Sequence, residues 1–495
     1  MKKFILTFCL AATAVLALNA ESFTGNIVVN RNGQTYNSNV TVTVTQESNG
    51  LNTLVLQVPL FGTMTMTDVP AATVNGITVY SAERDVATAL GTMHTTLMAR
   101  TVNGMMAADV AIPAQNTTMW FNTVGNHFQL PNSDLEDWSS NYENEPNRWH
   151  GFKSAGGTFA STSAGIAKLG SSDDVRPGAT GHSAVLKADS FFGIVANGTM
   201  TNGKLMAGSY SATSYDNHAE MNKANGTEDF YMPLYAKPDK FNVWLKYEQG
   251  KANADYRASV SVKTFDGTYY QEPYDTVNVV YTNLSGSIVG GQIAACDWTH
   301  FSFPFDYDSY AANGAATEAI FVTFSTNGEP GKGNANDAVY VDDMELVYLG
   351  NMTDLRYNGV TIEGWDPAVT AYSMEMAGEP NLDDFTATIE GASAVLTKSM
   401  EQNPDGSYRI ALSVVSADLQ NAACYIINVA APAGKKGDVD GNGNVNISDV
   451  TSLINYLLSS NATGINLQNA DVDSTGNINI TDVTALINLL LKGNN

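Results

Sequence analysis

The feature that most constrains this 495-residue chain lies at its C-terminal end, where residues 438–458 and 471–491 are two copies of one unit, offset by 33 residues. The first copy places Asp438, Asp440, Asn442, Asn444, Asn446 and Asp449 at positions 1, 3, 5, 7, 9 and 12 of a twelve-residue loop. Gly443 stands at position 6, where a sharp turn favours a residue without a Cβ. The second copy repeats the pattern with Asp471, Asp473, Thr475, Asn477, Asn479 and Asp482, and with Gly476 at position 6. Calcium is a hard cation that takes six to eight oxygens, and this spacing wraps carboxylate, amide and backbone oxygens around one point. Three carboxylates per loop come from positions 1, 3 and 12; Thr475 is the weakest of the proposed ligands. The spacing therefore predicts two bound calcium ions.

Each loop runs straight into an apolar-periodic segment: Val450, Leu453, Ile454, Leu457 and Leu458 in one copy, Val483, Leu486, Ile487, Leu490 and Leu491 in the other. The i, i+3, i+4, i+7 spacing predicts two helices whose apolar stripes bury against each other. The residues ahead of each loop are too few for an entering helix. Tandem half EF-hands with Asp at position 12 resemble a type I dockerin over residues 437–493. That resemblance implies a cohesin-like partner, met by the helix that begins at loop positions 10 and 11, here Ile447-Ser448 and Ile480-Thr481. Ser448, Asn455, Thr481 and Asn488 are the expected partner contacts. Two near-duplicate faces also imply that either repeat could engage the partner.

The rest of the chain reads as β-structure. Residues 22–114 alternate with period two, as in Asn39-Val-Thr-Val-Thr-Val-Thr45 and Thr63-Met-Thr-Met-Thr67, with glycines such as Gly25, Gly33, Gly50, Gly62, Gly76 and Gly104 at turn positions. The order of segments, from Phe23-Thr24-Gly25 through Gly76–Tyr80 to Gly104-Met105-Met106, resembles a calycin-like β-barrel. Residues 128–349 carry Asn132–Trp138, Asp174–Gly178, Phe241–Tyr247, Asp297–Phe301 and Ala338–Tyr348. This set and order resemble the carbohydrate-metabolism-type jelly-roll domains, which are related in shape to carbohydrate-binding modules. Residues 351–430, with Gly359-Val-Thr-Ile362 and Tyr425-Ile-Ile-Asn-Val429, resemble the cadherin-like or Ig-like sandwiches that act as spacers in surface proteins. Ala431–Lys436 reads as a linker. The expected fold is thus multidomain and mainly β: a barrel, a jelly-roll sandwich, a small β-sandwich, and then a small α-helical two-loop calcium-binding dockerin.

Residues 1–20 give an address: Lys2-Lys3, an apolar run from Phe4 to Leu18, and small residues that suit cleavage after Ala20. The expectation is a signal peptide and secretion to the periplasm, cell surface or medium, with no membrane span. Acids outnumber bases 50 to 25, and the net charge of −25 argues against nucleic acid and anionic membranes as partners. With three cysteines, one of them inside the leader, no disulfide framework is expected, and Cys296 and Cys424 read as small buried hydrophobes.

No Gly-x-Ser-x-Gly element, phosphate loop or paired-histidine metal motif is present, so no catalytic residue is assigned. Glu136 and Asp342, near the two ends of the large domain, are candidates for a further calcium site. Trp138, Trp149, Trp244 and Trp298 are candidates for glycan contact, since an aromatic face suits the apolar C–H face of a sugar. The leading reading is a non-catalytic, glycan-associated protein in a polysaccharide-handling system. A glycoside hydrolase with its activity in residues 128–349 is the alternative, and a surface adhesin for a protein ligand is a third.

Overall fold

The computed structural model describes residues 19–32, 34–74, 77–102, 104–123, 128–225, 228–273, 281–376, 379–403, 406–430 and 435–492. The expected leader lies outside these residues apart from Asn19 and Ala20, and so do Gly33, Gly76 and residues 431–434 of the expected linker. The chain divides into two compact units. One is Met1–Thr353 with Thr388–Thr397 and Ser413–Ala423; the other is Asp354–Ala387, Lys398–Leu412 and Cys424–Asn495.

The first unit begins with nine strands: β1 Asn19–Arg31, β2 Gln34–Gln46, β3 Asn52–Val58, β4 Gly62–Val69, β5 Ala71–Val74, β6 Ile77–Thr88, β7 Gly91–Val102, β8 Met105–Ile112 and β9 Thr117–Asn122. They form one sheet in the order β4-β3-β2-β1-β9-β8-β7-β6-β5. β1 lies between β2 and β9, so the meander curls back on itself. β6 reaches β4 through Arg84, which donates to the carbonyls of Thr67 and Asp68, and just beyond the two strands Ala89 N–H donates to the Phe61 carbonyl at 2.8 Å. The period-two alternation sends Ile27, Val42, Leu54, Met64, Val110 and Phe121 inside, where they fill the barrel-like interior.

The next fifteen strands build the large domain. They are β10 Lys168–Ser172, β11 Ser183–Lys187, β12 Asp189–Phe191, β13 Ile194–Ala196, β14 Thr199–Thr201, β15 Lys204–Ala207, β16 Asn217–Met221 and β17 Lys240–Glu248. β18 Ala258–Phe265, β19 Tyr270–Glu272, β20 Leu284–Ile288, β21 Gln292–Ile293, β22 Cys296–Asp306, β23 Ala319–Ser325 and β24 Ala338–Val347 follow. The long strand β22 pairs with β17 through most of its length and with β20 at Phe305 and Asp306. It thereby joins a half of order β10-β11-β24-β17-β22 to a half of order β20-β18-β23-β14. The halves meet face to face: Phe241 on β17 and Phe324 on β23 have ring centroids 6.3 Å apart, and Trp149 lies 6.4 Å from Phe324. This is the sandwich the sequence implies.

The barrel and the sandwich share one buried core. Ile77, Val79 and Ala107 of the barrel belong to the same cluster as Phe128, Tyr348, Val395 and Val415. At this junction the buried Arg100 places its guanidinium 3.5 Å from the Phe128 ring centroid. Burial lowers its pKa to about 9, against the opposing pull of Asp418 and Tyr348. The expected break at residue 350 is not a clean one. Asp239 accepts from Leu349 N–H at 2.7 Å and from Ala392 N–H at 2.8 Å, and Asn421 donates to the Tyr348 carbonyl at 2.8 Å.

Residues 351–429 form a three-stranded sheet (β25 Asn351–Tyr357, β26 Val360–Thr361, β28 Phe385–Glu390) and a four-stranded one (β27 Ala371–Met374, β29 Val395–Gln402, β30 Tyr408–Val415, β31 Ala422–Val429). Among the described residues the large domain contains one short α-helix, α1 Ala160–Ile166. The C-terminal module holds α2 Ile447–Ser459, α3 Leu467–Ala470 and α4 Ile480–Lys492. The single turn of α3 stands where no entering helix was expected. Cys296 and Cys424 are half-buried rather than buried. Among the described residues, no helix is long and apolar enough to cross a membrane.

Candidate functional site

The two loops fold as the spacing requires. In the first, Asp438 accepts from Gly443 N–H at 2.9 Å and Asp440 from Asn442 N–H at 3.2 Å. Asp449 closes the loop by accepting from Asp440 N–H at 3.1 Å and Asn446 N–H at 2.8 Å. The second loop repeats these bonds: Asp471 accepts from Gly476 N–H at 2.9 Å, and Asp482 from Asp473 N–H at 3.1 Å and Asn479 N–H at 2.9 Å. Gly443 and Gly476 take positive φ as expected. The sequence reading overlooked position 4, where Gly441 has φ +70° and Ser474 has φ +61°.

Carboxylate oxygens of Asp438, Asp440 and Asp449 all lie within 4.8 Å of one another, as do those of Asp471, Asp473 and Asp482. Among the described residues these are the two places where three or more such side chains converge. Asp438 Oδ1 is buried and has no hydrogen-bond partner among the described residues. A shielded carboxylate oxygen facing two further carboxylates fits a hard cation better than it fits any neutral arrangement. Of the other proposed ligands, Asn446 and Asn479 cap α2 and α4 by accepting from Ser448 and Thr481 N–H, each at 2.8 Å. The Asn442 side-chain oxygen accepts from Asn444 N–H at 2.9 Å, and the Thr475 hydroxyl turns to the Asn477 carbonyl at 3.5 Å. The Thr481 hydroxyl donates to Asp473 at 2.5 Å and, with Thr475, holds that carboxyl below its ordinary range. One expected partner contact is thus tied to the loop as well.

The loops brace each other. Asn469, in α3, donates to the Asp438 carbonyl at 2.7 Å and accepts from Gly437 N–H through its own carbonyl at 3.0 Å. Asn466 N–H donates to the Val439 carbonyl at 2.8 Å. A small core of Val439, Val450, Leu453, Val472, Val483 and Leu486 lies between α2 and α4.

The expected burial of both full stripes needs correction. Only Val450 and Leu453, with Val483 and Leu486, go fully inside, while Leu457 and Leu490 are partly buried. Ile454, Leu458, Ile487 and Leu491 stay outside, because a helix meets one neighbouring helix along a narrow face. With Ile447 and Ile480 they make two matching rows at i, i+7, i+11. Ile447 and Leu458 are 71% and 82% exposed, Ile480 and Leu491 67% and 68%. Ser448, Asn455, Thr481 and Asn488 are exposed beside these rows.

In the large domain the nominated residues are scattered. Trp149 is wholly enclosed, its indole N–H donating to the Pro131 carbonyl at 3.2 Å, so it has no face to offer a sugar. Trp138 is half-buried and donates to the Leu135 carbonyl at 2.7 Å. Trp244 and Trp298 lie on the outer side of the β17–β22 pair. Trp298 donates to Asp174 at 2.9 Å, and Trp244 packs near His300 (5.2 Å between centroids). Glu136 accepts from His182 N–H at 2.9 Å. Asp342 is buried and accepts from Arg176 N–H at 3.1 Å; burial pushes its carboxyl above the ordinary range. Glu136 and Asp342 are not brought into a three-carboxylate cluster like those of the loops.

Residues 436–491 are a type I dockerin domain, and residues 121–347 match the family described as "Putative carbohydrate metabolism domain". Cohesin is the docking partner that a dockerin implies. No curated protein matches the chain. Among solved structures, a "putative glycoside hydrolase" from Bacteroides thetaiotaomicron is 14% identical over 49% of this chain and 79% of its own, with a TM-score of 0.34. The C-terminal family 22 carbohydrate-binding module of Clostridium thermocellum Xyn10B is 8% identical, over 43% and 95%, at 0.19. The M60 catalytic domain with two CBM51 domains from Clostridium perfringens ZmpB is 10% identical, over 83% and 39%, at 0.17. At these scores the likeness says nothing about function.

Proposed function

We propose that this chain is an exported, non-catalytic, glycan-associated protein, tethered by its calcium-loaded dockerin to a cohesin-like partner in a polysaccharide-handling system. The observation that carries this reading is the pair of matching carboxylate cages, each closed by the third residue of a helix that exposes a row of aliphatic side chains. Asp438, Asp440 and Asp449 would hold one ion, and Asp471, Asp473 and Asp482 the other; bound calcium supplies positive charge to offset crowded carboxylates. Asp449 and Asp482 then fix where α2 and α4 start, and so where the rows Ile447–Ile454–Leu458 and Ile480–Ile487–Leu491 point. Exposed aliphatic rows of this length suit burial against a protein surface.

The non-catalytic half of the proposal draws on what the acids of the large domain do. Glycoside hydrolysis uses two facing carboxyl groups, one as acid and one as base or nucleophile. Here Asp342 holds the Arg176 backbone, Asp343 pairs with the Arg176 guanidinium, Glu136 holds His182 N–H, and Glu345 accepts from Asn242 at 3.0 Å. Each is engaged in holding the fold.

The test is surface plasmon resonance of the full chain over an immobilised type I cohesin. Binding is expected in calcium and lost in chelator. Ile447→Ser with Ile454→Ser, or Ile480→Ser with Ile487→Ser, should leave binding through the other repeat, and all four together should abolish it. Binding that persists in chelator, or survives all four substitutions, would sink the docking proposal. Release of reducing ends from polysaccharide by the purified chain would sink the non-catalytic half.

A further inference from the structure

A groove of about 560 Å³ lies on the β20-β18-β23-β14 half of the sandwich, on the face turned away from the core. Its volume is in the range of roughly 300–1,000 Å³ found for small-ligand sites. The floor follows from strand alternation: β18 sends Val260 and Val262 into the core and Ser259, Ser261 and Lys263 into the groove, beside Thr323 and Ser325 of β23. Such an outward face would ordinarily be bathed in solvent. Here the β12–β13 hairpin, α1 and β16 contribute walls, so the floor is half-buried. Apolar side chains such as Phe159, Ile194 and Met206 supply those walls, and Phe191 and Tyr210, 41% and 50% exposed, stand at the lip.

The polar groups of the groove are organised. Ser261 donates to Glu272 Oε1 at 2.7 Å, Lys263 donates to Ser287 at 2.7 Å, and Lys263 lies 3.8 Å from Glu272. The one cation and the one carboxylate among the described lining residues thus offset each other. Ser259, Ser261, Thr323 and Ser325 line the floor with hydroxyls, each both a donor and an acceptor. Such a floor suits an occupant that both donates and accepts. Sulfate, phosphate or a carboxylate would only accept, and would find Lys263 already matched. A hydrocarbon chain would leave the hydroxyl floor unpaired. Sugar hydroxyls donate and accept on the same atom, and sugar C–H faces suit the aromatic lip.

We propose that this groove is the polysaccharide-binding site of the chain and takes a segment of an uncharged glycan. The inference rests on the reading that the large domain binds glycan, and it puts the site on the half of the sandwich opposite Trp244 and Trp298. The test is affinity electrophoresis of the full chain in gels cast with xyloglucan, galactomannan, mixed-linkage glucan or polygalacturonan. At least one of the three uncharged polymers should retard the chain. Glu272→Gln, nearly isosteric, and Tyr210→Ala, at an exposed position, should each weaken that retardation about 10-fold or more through a lost charged hydrogen bond or a lost stacking face. Trp244→Ala and Trp298→Ala should leave it within about 2-fold, as expected for surface positions outside a site. Because Tyr210 lies outside the core, its substitution keeps the test valid should Glu272→Gln fail to fold. Retardation lost with the tryptophans and unaffected by Glu272→Gln and Tyr210→Ala would overturn the groove and leave the glycan reading standing. Retardation by polygalacturonan alone would overturn the uncharged class. Retardation by none of the four would remove the glycan reading and this inference with it.

Discussion

Chelating calcium should unfold the C-terminal module and leave the first compact unit intact. In the first loop, oxygens of Asp438, Asp440 and Asp449 lie within 4.8 Å of one another. At that separation two unit charges repel by about 3–4 kcal/mol at an effective dielectric of about 20, and by about 1 kcal/mol in bulk water. Three pairs then cost about 3–10 kcal/mol, depending on how far water screens the half-exposed Asp440. A module of this size has about 3–8 kcal/mol of total stability, so the repulsion in one loop rivals everything that holds the module together. The thirteen-residue helices α2 and α4 give no reserve, since isolated helices of this length are marginal in water. Conversely, free calcium at about a hundred times the dissociation constant adds about 2.7 kcal/mol per site. Hydrogen exchange on the full chain, read by mass spectrometry, tests this directly. In chelator, peptides spanning Ile447–Ser459 and Ile480–Lys492 should lose protection, and those spanning Ala258–Phe265 and Ala319–Ser325 should keep it. Helices that stay protected after chelation would refute the reasoning.

Further outcomes follow from single side chains. Asp438→Ala and Asp471→Ala should each reduce calcium stoichiometry by calorimetry from two to one, while Thr475→Ala should keep both sites. Loss of a site with Thr475→Ala would show that position 5 ligates more strongly than its hydroxyl suggests. Gly437→Ala should destabilise the module by about 1–3 kcal/mol, read as an earlier transition in chelator titrations. Gly437 has φ +94°, and an added Cβ would stand 2.7 Å from Leu486 Cδ1. Hydrogen bonds from Lys246 and Trp298 hold Asp174 below its ordinary value of 3.8. The contribution of this carboxylate is therefore present above that value and is lost as pH falls through the depressed one. Trp298 fluorescence should report that step on the acid side of pH 3.8, and Asp174→Asn should remove it.

The two carboxylate-lined loops were legible because their acidic residues are local: positions 1, 3 and 12 of one twelve-residue loop converge whatever else the chain does. The barrel-like sheet was legible for a related reason, since Val42 and Val44 on β2 alternate with threonines over an uninterrupted run. The outer rows on α2 and α4 were not, because a 3.6-residue period marks an apolar stripe without saying how much of it the neighbouring helix covers. The groove floor was hidden in plain alternation. Ser259, Ser261 and Lys263 read as an ordinary solvated face until the hairpin around Phe191 and the strand around Asn217, distant in sequence, wall them in. The joint near residue 350 was equally unreadable, because Asp239 reaches Leu349 and Ala392 across more than a hundred residues. The four tryptophans could not be ranked by sequence: Trp149 and Trp298 have the same chemistry and opposite surroundings.

Strand β24 has a mechanical consequence. It is the last strand of the large domain, yet it lies inside its sheet, flanked by β11 and β17, with pairing to β17 running from Lys240–Val347 to Glu248–Ala338. If the chain grips a polymer with this domain and a scaffold with its C-terminal end, part of the tension between the two enters the domain at the end of β24, and part through Ala392 and Asn421, which are bonded to it. A pull along that strand loads the ladder bonds on both flanks in parallel, so they resist together as in shear. A strand peeled from a sheet edge would instead open them one after another. A tether attached at this strand can therefore carry flow or hauling loads that would unzip the same sandwich from its margin.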